Sequence, residues 1–101
     1  MDHIYQPFQQ RARQLEFHAH DAIVDHEHPA AHVLREEFRR LTEDFEQQRH
    51  PRSIETRLQT IERQLVQAEH SGDHLMNTQH TYALRDNLER MRRDIKKMPH
   101  Y

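Results

Sequence analysis

Histidines and carboxylates, the side chains that bind metals and move protons, are concentrated in one stretch near the N-terminus. The segment EFHAHDAIVDHEHPAAH, residues 16–32, holds five of the eleven histidines together with four carboxylates. This composition has three interpretations: a metal site, an acid–base centre, or the solvated face of a helix. The spacing of the rings along the backbone decides among them.

Helical geometry separates some of these side chains and aligns others. His18 and His20 lie about 200° apart on a helix, so they cannot share one ion. A better aligned set has members three, four and three residues apart along one side: His18, Asp21, Asp25 and His28. Two imidazoles and two carboxylates suit zinc or manganese. A divalent-metal-binding or metal-sensing module is therefore our alternative hypothesis, whereas our main prediction is a solvated face with no metal and no cofactor.

Nucleophilic catalysis has few residues to draw on. The two serines, Ser53 and Ser71, suit a helix cap and a turn, and a chain with one glycine, Gly72, cannot form a glycine-rich phosphate loop. The absence of cysteine excludes a thiol nucleophile, disulfides and cysteine-held iron–sulfur clusters. We predict that the protein is not an enzyme and takes no small-molecule substrate.

The apolar residues are too scattered for a membrane segment. The longest unbroken run of hydrophobic residues has three members, as in Ala22-Ile23-Val24, so we expect no transmembrane span and no signal peptide. The mature chain should start near Met1. A cytoplasmic location fits the lack of cysteine.

Composition and periodicity predict an all-α chain with one domain, residues 1–101. One glycine, four prolines and 32% charged residues disfavour strands. Apolar residues recur at steps of three and four in segments at about 4–25, 29–49, 53–70 and 73–98, which predicts an antiparallel bundle of three to four amphipathic helices. Pro29 should open the second helix and Ser53 should cap the third. A break or bend is expected at Gly72, and the narrow third stripe resembles a coiled-coil seam.

These stripes predict the core, and the residues outside them predict an interface. The expected core includes Phe8, Leu15, Leu34, Phe38, Phe45, Leu58, Leu65, Tyr82, Leu88, Met91 and Met98. A second, shorter apolar row lies beside the stripes and consists of Phe17, Val24, Val33 and Val66. A helix with two apolar sides needs two neighbours. We therefore expect the protein to associate with a second copy, as a homodimer or a higher oligomer, through these interface candidates.

Charge is divided unevenly along the chain. Residues 1–48 carry five arginines and ten acids, a net of −5, and residues 49–101 carry ten arginines or lysines and seven acids, a net of +3. This polarity favours antiparallel packing of the halves or head-to-tail contact between chains. The basic stretch 85–98 also contains acids and few aromatic residues, so we do not expect nucleic acid as a ligand.

Residues 28–98 resemble the YlbF/YmcA/YheA family of small all-helical bacterial regulatory proteins. The resemblance lies in AAHVLREEFRRL (residues 30–41) and QLVQAEHSGDHLMNTQHTYALRDNLERMRRDI (residues 64–95), particularly Leu75-Met76, Gln79 and Ile95. It implies a non-enzymatic adaptor that forms homo- or hetero-oligomers with other small helical proteins. Some family members bind iron–sulfur clusters through cysteines, and that property cannot extend to this cysteine-free chain.

The eleven histidines also predict a response to acid. Their full protonation would take the formal net charge from −2 to +9, and self-repulsion should then weaken the bundle or its oligomer in mild acid.

Overall fold

The computed structural model describes residues 5–70 and 75–98. These residues form four helices: α1 (Gln6–Ala22), α2 (Pro29–Glu46), α3 (Pro51–His70) and α4 (Thr78–Lys96). The all-α prediction is confirmed, and the third and fourth helices are separate elements. None of the described helices has both the length and the apolar content needed to cross a membrane.

The helices form an antiparallel four-helix bundle. Each helix packs against its neighbours in the chain, and α4 closes the ring by packing against α1. The Cα atoms occupy about 44 × 19 × 18 Å. In this arrangement α2 lies diagonally across the bundle from α4, and each pair of adjacent helices forms a groove on the surface.

The predicted apolar stripes form the core. Residues at steps of three and four are buried on every helix, including Leu15 on α1, Phe38 on α2, Leu58 on α3 and Leu88 on α4. The prediction that Tyr82 belongs to the core is wrong. Tyr82 is 61% exposed, and the neighbouring Thr81 occupies the buried position. A one-residue shift rotates a side chain by about 100° around a helix, which carries Tyr82 to the surface. Met98 is only partly buried.

The connections at one end of the bundle are joined by backbone hydrogen bonds. The Val24 amide donates to the Leu75 carbonyl at 2.7 Å, and the Asn77 amide donates to the Ala22 carbonyl at 2.8 Å. Ile23 and Met76 thereby form an isolated antiparallel bridge. This pairing explains why α1 ends at Ala22 and does not continue to residue 25 as the sequence predicts.

The opposite end is closed by an aromatic cluster. The rings of Phe8 and Phe45 stack with centroids 5.5 Å apart, and Tyr5 meets Phe45 edge-on at 5.3 Å. The Tyr5 hydroxyl donates to the Arg49 carbonyl at 2.8 Å, and burial raises the pKa of this phenol. These contacts hold the start of α1 against the connection between α2 and α3.

Helix α2 ends three residues before the predicted boundary, in a hydrogen-bonded turn. Gln48 adopts a positive φ of 53°, its amide donates to the Phe45 carbonyl, and the Arg49 amide donates to the Asp44 carbonyl at 2.9 Å. This is the Schellman pattern, in which a left-handed residue reverses the chain and satisfies the last carbonyls. Glycine usually fills that position, so the sequence carried no signal for it.

Two predicted caps are also corrected. Ser53 lies in the first turn of α3, because Pro51 begins that helix and the Nδ1 of His50 accepts a hydrogen bond from the Arg52 amide at 3.1 Å. Helix α4 starts at Thr78, five residues after the predicted start, and its cap is Asn77, whose side chain accepts from the His80 amide at 3.2 Å. The predicted turn at Ser71, the predicted break at Gly72 and residue 73, where the fourth segment was expected to begin, lie outside the described residues.

Candidate functional site

A largely apolar opening lies between α1 and α2. We call it the α1–α2 groove, and its main lining residues are Glu16, Phe17, His20, His32, Arg35 and Arg39, around a volume of about 510 Å³. A second concavity of about 360 Å³ continues past Phe17 toward Arg13, Thr42 and Glu46. Phe17 therefore stands between two hollows of one groove.

Phe17 is in this position because of its place in the helical turn. Leu15 and Ala19, on either side of it in sequence, point into the core, and a residue between them is rotated toward the groove. The side chain of Phe17 is 74% exposed, the highest exposure among the large hydrophobic residues described. The sequence had identified it as lying off the main stripe.

One end of the groove is built from imidazoles around an arginine. Arg35 contacts the Nδ1 of His26 at 3.1 Å and the Nδ1 of His32 at 2.7 Å. Because a guanidinium can only donate, both Nδ1 atoms accept. The ring of His20 lies against that of His26, with centroids 4.6 Å apart. Arg35 thus ties the α1–α2 connection to α2 and makes no ion pair with a carboxylate among the described residues.

The other end of the groove is held by interhelix polar contacts. The Thr42 hydroxyl donates to Glu16 at 3.0 Å, and Arg13 pairs with Glu46 at 3.1 Å. No arginine, lysine or histidine in the described part of the chain pairs with Glu16. Among the described residues, the groove therefore contains an arginine without a carboxylate partner, Arg35, and a carboxylate without an ion-paired cation, Glu16.

The rim of the groove on α2 is an ion-pair network. Arg39 bridges Glu36 and Glu43, and Arg40 also reaches Glu36 at 3.3 Å. The hydrogen bond from Arg39 is the main reason that the pKa of Glu36 is lowered, with Arg40 adding to the effect. These charges are already satisfied within one helix.

The four predicted interface residues do not lie on one surface. Phe17 lies in the α1–α2 groove, Val24 is 64% exposed in the connection after α1, and Val33 is 47% exposed on α2. Val66 lines a different groove, between α3 and α4, which Tyr82 also lines. The sequence missed Tyr82 as a surface residue because its apolar character suited the predicted stripe of α4.

The groove between α3 and α4 is larger but more polar. It encloses about 1000 Å³, and two ion pairs at 2.9 Å cross between its helices, Glu62 with Arg92 and Glu69 with Arg85. One carboxylate oxygen of each glutamate is buried without a hydrogen-bond partner among the described residues. Burial raises the pKa of Glu62 more than the nearby Arg92 lowers it.

The residues of the alternative metal site are directed to different partners. His18 lines a hollow beside Asn87 and Met91 of α4, while Asp25 accepts from the Glu27 amide and His28 caps α2 by accepting from the Ala30 amide at 3.0 Å. Asp21 lies 3.8 Å from His20. Within residues 5–70 and 75–98, no three His, Asp or Glu side chains are arranged to hold a metal ion.

Comparisons with known proteins do not extend this picture. The chain matches no protein-family model, no curated protein and no solved structure. The YlbF/YmcA/YheA resemblance therefore stays a prediction from the sequence, and the proposed function rests mainly on the surface of the bundle.

Proposed function

We propose that this chain is a non-enzymatic adaptor or regulatory protein that acts by binding other polypeptides through its helical surfaces. The partners would be further copies of itself or other small helical proteins, as the YlbF/YmcA/YheA resemblance also predicts. The cysteine-free sequence is the basis for placing this activity in the cytoplasm.

The observation that carries the proposal is the exposure of Phe17. Covering a phenylalanine side chain is worth about 1.5–3 kcal/mol, yet 74% of this one faces solvent in a groove of a bundle whose core is otherwise closed. Aromatic residues in such hollows are typical anchors of protein interfaces. The exposed Val24, Val33 and Tyr82 side chains add apolar surface at other positions.

Self-association is tested by sedimentation velocity of the purified full chain between about 1 and 100 µM. Any polypeptide that co-purifies is identified by mass spectrometry, and the ratio at which it binds the chain is then measured. We expect either concentration-dependent self-association or binding of an identified polypeptide at a defined ratio. A chain that stays monomeric throughout this range and binds no such polypeptide would contradict the proposal.

A further inference from the structure

We propose that the α1–α2 groove is a self-complementary interface for a second copy of this chain, with Phe17 beside a two-fold axis. This inference rests on the proposed function and specifies its partner and surface. A two-fold interface uses the same patch on both copies, so each feature on one side of the axis must meet its complement on the other. The groove meets this requirement in both shape and charge.

The shape of the groove suits two antiparallel copies. Phe17 separates hollows of about 510 and 360 Å³ along the helix axes. When a second copy is turned by the two-fold axis, its Phe17 is placed over a hollow of the first copy, and the reverse contact occurs at the same time. One ring per copy can thus be covered without any change in the backbone.

The unpaired charges lie where a two-fold axis would bring them together. Arg35 lines only the hollow on the His20 side of Phe17, whereas Glu16 lines both hollows and its carboxylate accepts from Thr42, which lines only the other one. Reversing the direction of the second copy brings its Arg35 toward Glu16 of the first. The contacts of Arg35 to the Nδ1 of His26, the Nδ1 of His32 and the carbonyl of His26 use three of its five N–H groups, which leaves donors for a carboxylate.

The area available is sufficient for a specific dimer. Helices α1 and α2 contain 17 and 18 residues, so each is roughly 26 Å long at about 1.5 Å per residue. A face of two such helices can supply on the order of 800 Å² per partner, the area of a standard interface. The α3–α4 groove is larger, but two of its arginines, Arg85 and Arg92, already pair with Glu69 and Glu62 across the helices.

The decisive experiment is a charge exchange between copies. The variants Glu16→Arg and Arg35→Glu each place like charges across the proposed axis, so each should weaken dimerisation. In an equimolar mixture of the two variants, every introduced charge faces an opposite charge on the other copy, and a heterodimer should form with an affinity near that of the wild type. Circular dichroism shows whether each variant keeps its helices, and the mixture separates an intermolecular contact from a folding defect.

The aromatic anchor is tested in parallel by sedimentation velocity. Phe17→Ser should raise the dimer Kd by about tenfold or more, as for a central interface residue. The matched control is Tyr82→Ser, which removes a 61% exposed aromatic residue from the other groove and should leave the Kd unchanged.

Several results would overturn the inference. A dimer unaffected by Phe17→Ser, a dimer broken by Tyr82→Ser, or single-charge variants that remain monomeric when mixed would show that the copies meet elsewhere or not at all. A wild-type chain that is monomeric but binds another identified polypeptide would overturn this inference and leave the proposed function standing. A monomer with no polypeptide partner would remove both.

Discussion

Two histidine–proline pairs begin helices α2 and α3 in the same way. In each pair the proline takes the first helical turn and the preceding ring accepts a backbone hydrogen bond through Nδ1: His28 from Ala30 at 3.0 Å and His50 from Arg52 at 3.1 Å. Proline lacks an N–H and has a φ suited to this position. The imidazole thus takes the role usually filled by Ser, Thr, Asp or Asn.

These caps should contribute to stability. His28→Ala/His50→Ala removes both acceptors, and the loss of a helix N-cap costs about 1 kcal/mol each in the free energy of unfolding. Asparagine is a good cap, so His28→Asn/His50→Asn should keep most of the wild-type stability.

Urea unfolding measures these differences. The control variant is His80→Ala, which removes one exposed ring on α4 without removing a cap side chain. Equal free energies of unfolding in the wild type and the double alanine variant would show that the two imidazole caps add nothing to stability.

Neighbouring helices are joined by ion pairs whose burial differs. Arg57 of α3 reaches two residues of α2, with Nη1 2.8 Å from Glu37 and Nε 2.5 Å from Asp44. Both carboxylates are mostly buried, at 15% and 13% side-chain exposure. Burial favours a lower pKa for Arg57, but the two carboxylates outweigh it and the pKa is raised. This contact fixes the register between α2 and α3.

Removing Arg57 should therefore destabilise the bundle. Arg57→Ala leaves two poorly solvated carboxylates without a partner, and hydrogen bonds to charged groups contribute about 1.5–3 kcal/mol each. We expect a loss of about 2–3 kcal/mol in the free energy of unfolding. The control is Arg90→Ala, whose pair with Asp86 is solvent-exposed at 3.0 Å and should contribute less than about 0.5 kcal/mol. Similar losses in the two variants, measured by denaturant unfolding, would contradict this account.

The whole bundle distributes its histidines among separate tasks. His26 and His32 bind Arg35, His28 caps α2, and His18 faces α4. The charge asymmetry of the sequence is also spread across the bundle, since the acidic helix α2 lies diagonally opposite the basic helix α4. All four arginines of α4 and its lysine pair with acids: Arg85, Arg90, Arg92, Arg93 and Lys96.

This distribution predicts the outcome of a metal titration. Zinc or manganese added to chelator-treated protein should leave the Tm unmoved, because His18, Asp21, Asp25 and His28 would have to abandon separate contacts to meet at one ion. A ligand that binds the folded state raises the Tm with its concentration. A Tm that climbs with zinc in the wild type but not in a His18→Ala/His28→Ala variant would restore the metal-binding hypothesis.

The sequence predicted the helices and most of the core because both follow from local periodicity. Apolar residues at steps of three and four placed Leu34, Phe38 and Leu41 on one face whatever the partner helix. Pro29 indicated where α2 begins, and Pro51 placed the predicted end of α2 close to its true boundary. Phe17 was identified as a surface residue for the same reason, since it lies off the α1 stripe.

The remaining features depend on contacts between residues far apart in the chain. The end of α1 at Ala22 needs the backbone of Leu75 and Asn77, and the hydrogen bond from Thr42 to Glu16 forms only when α1 and α2 pack. Spacing along one helix reports which face a residue occupies and not which neighbour meets that face. For this reason the four interface candidates looked equivalent in sequence, and the packing of the helices separated Phe17 from Val66.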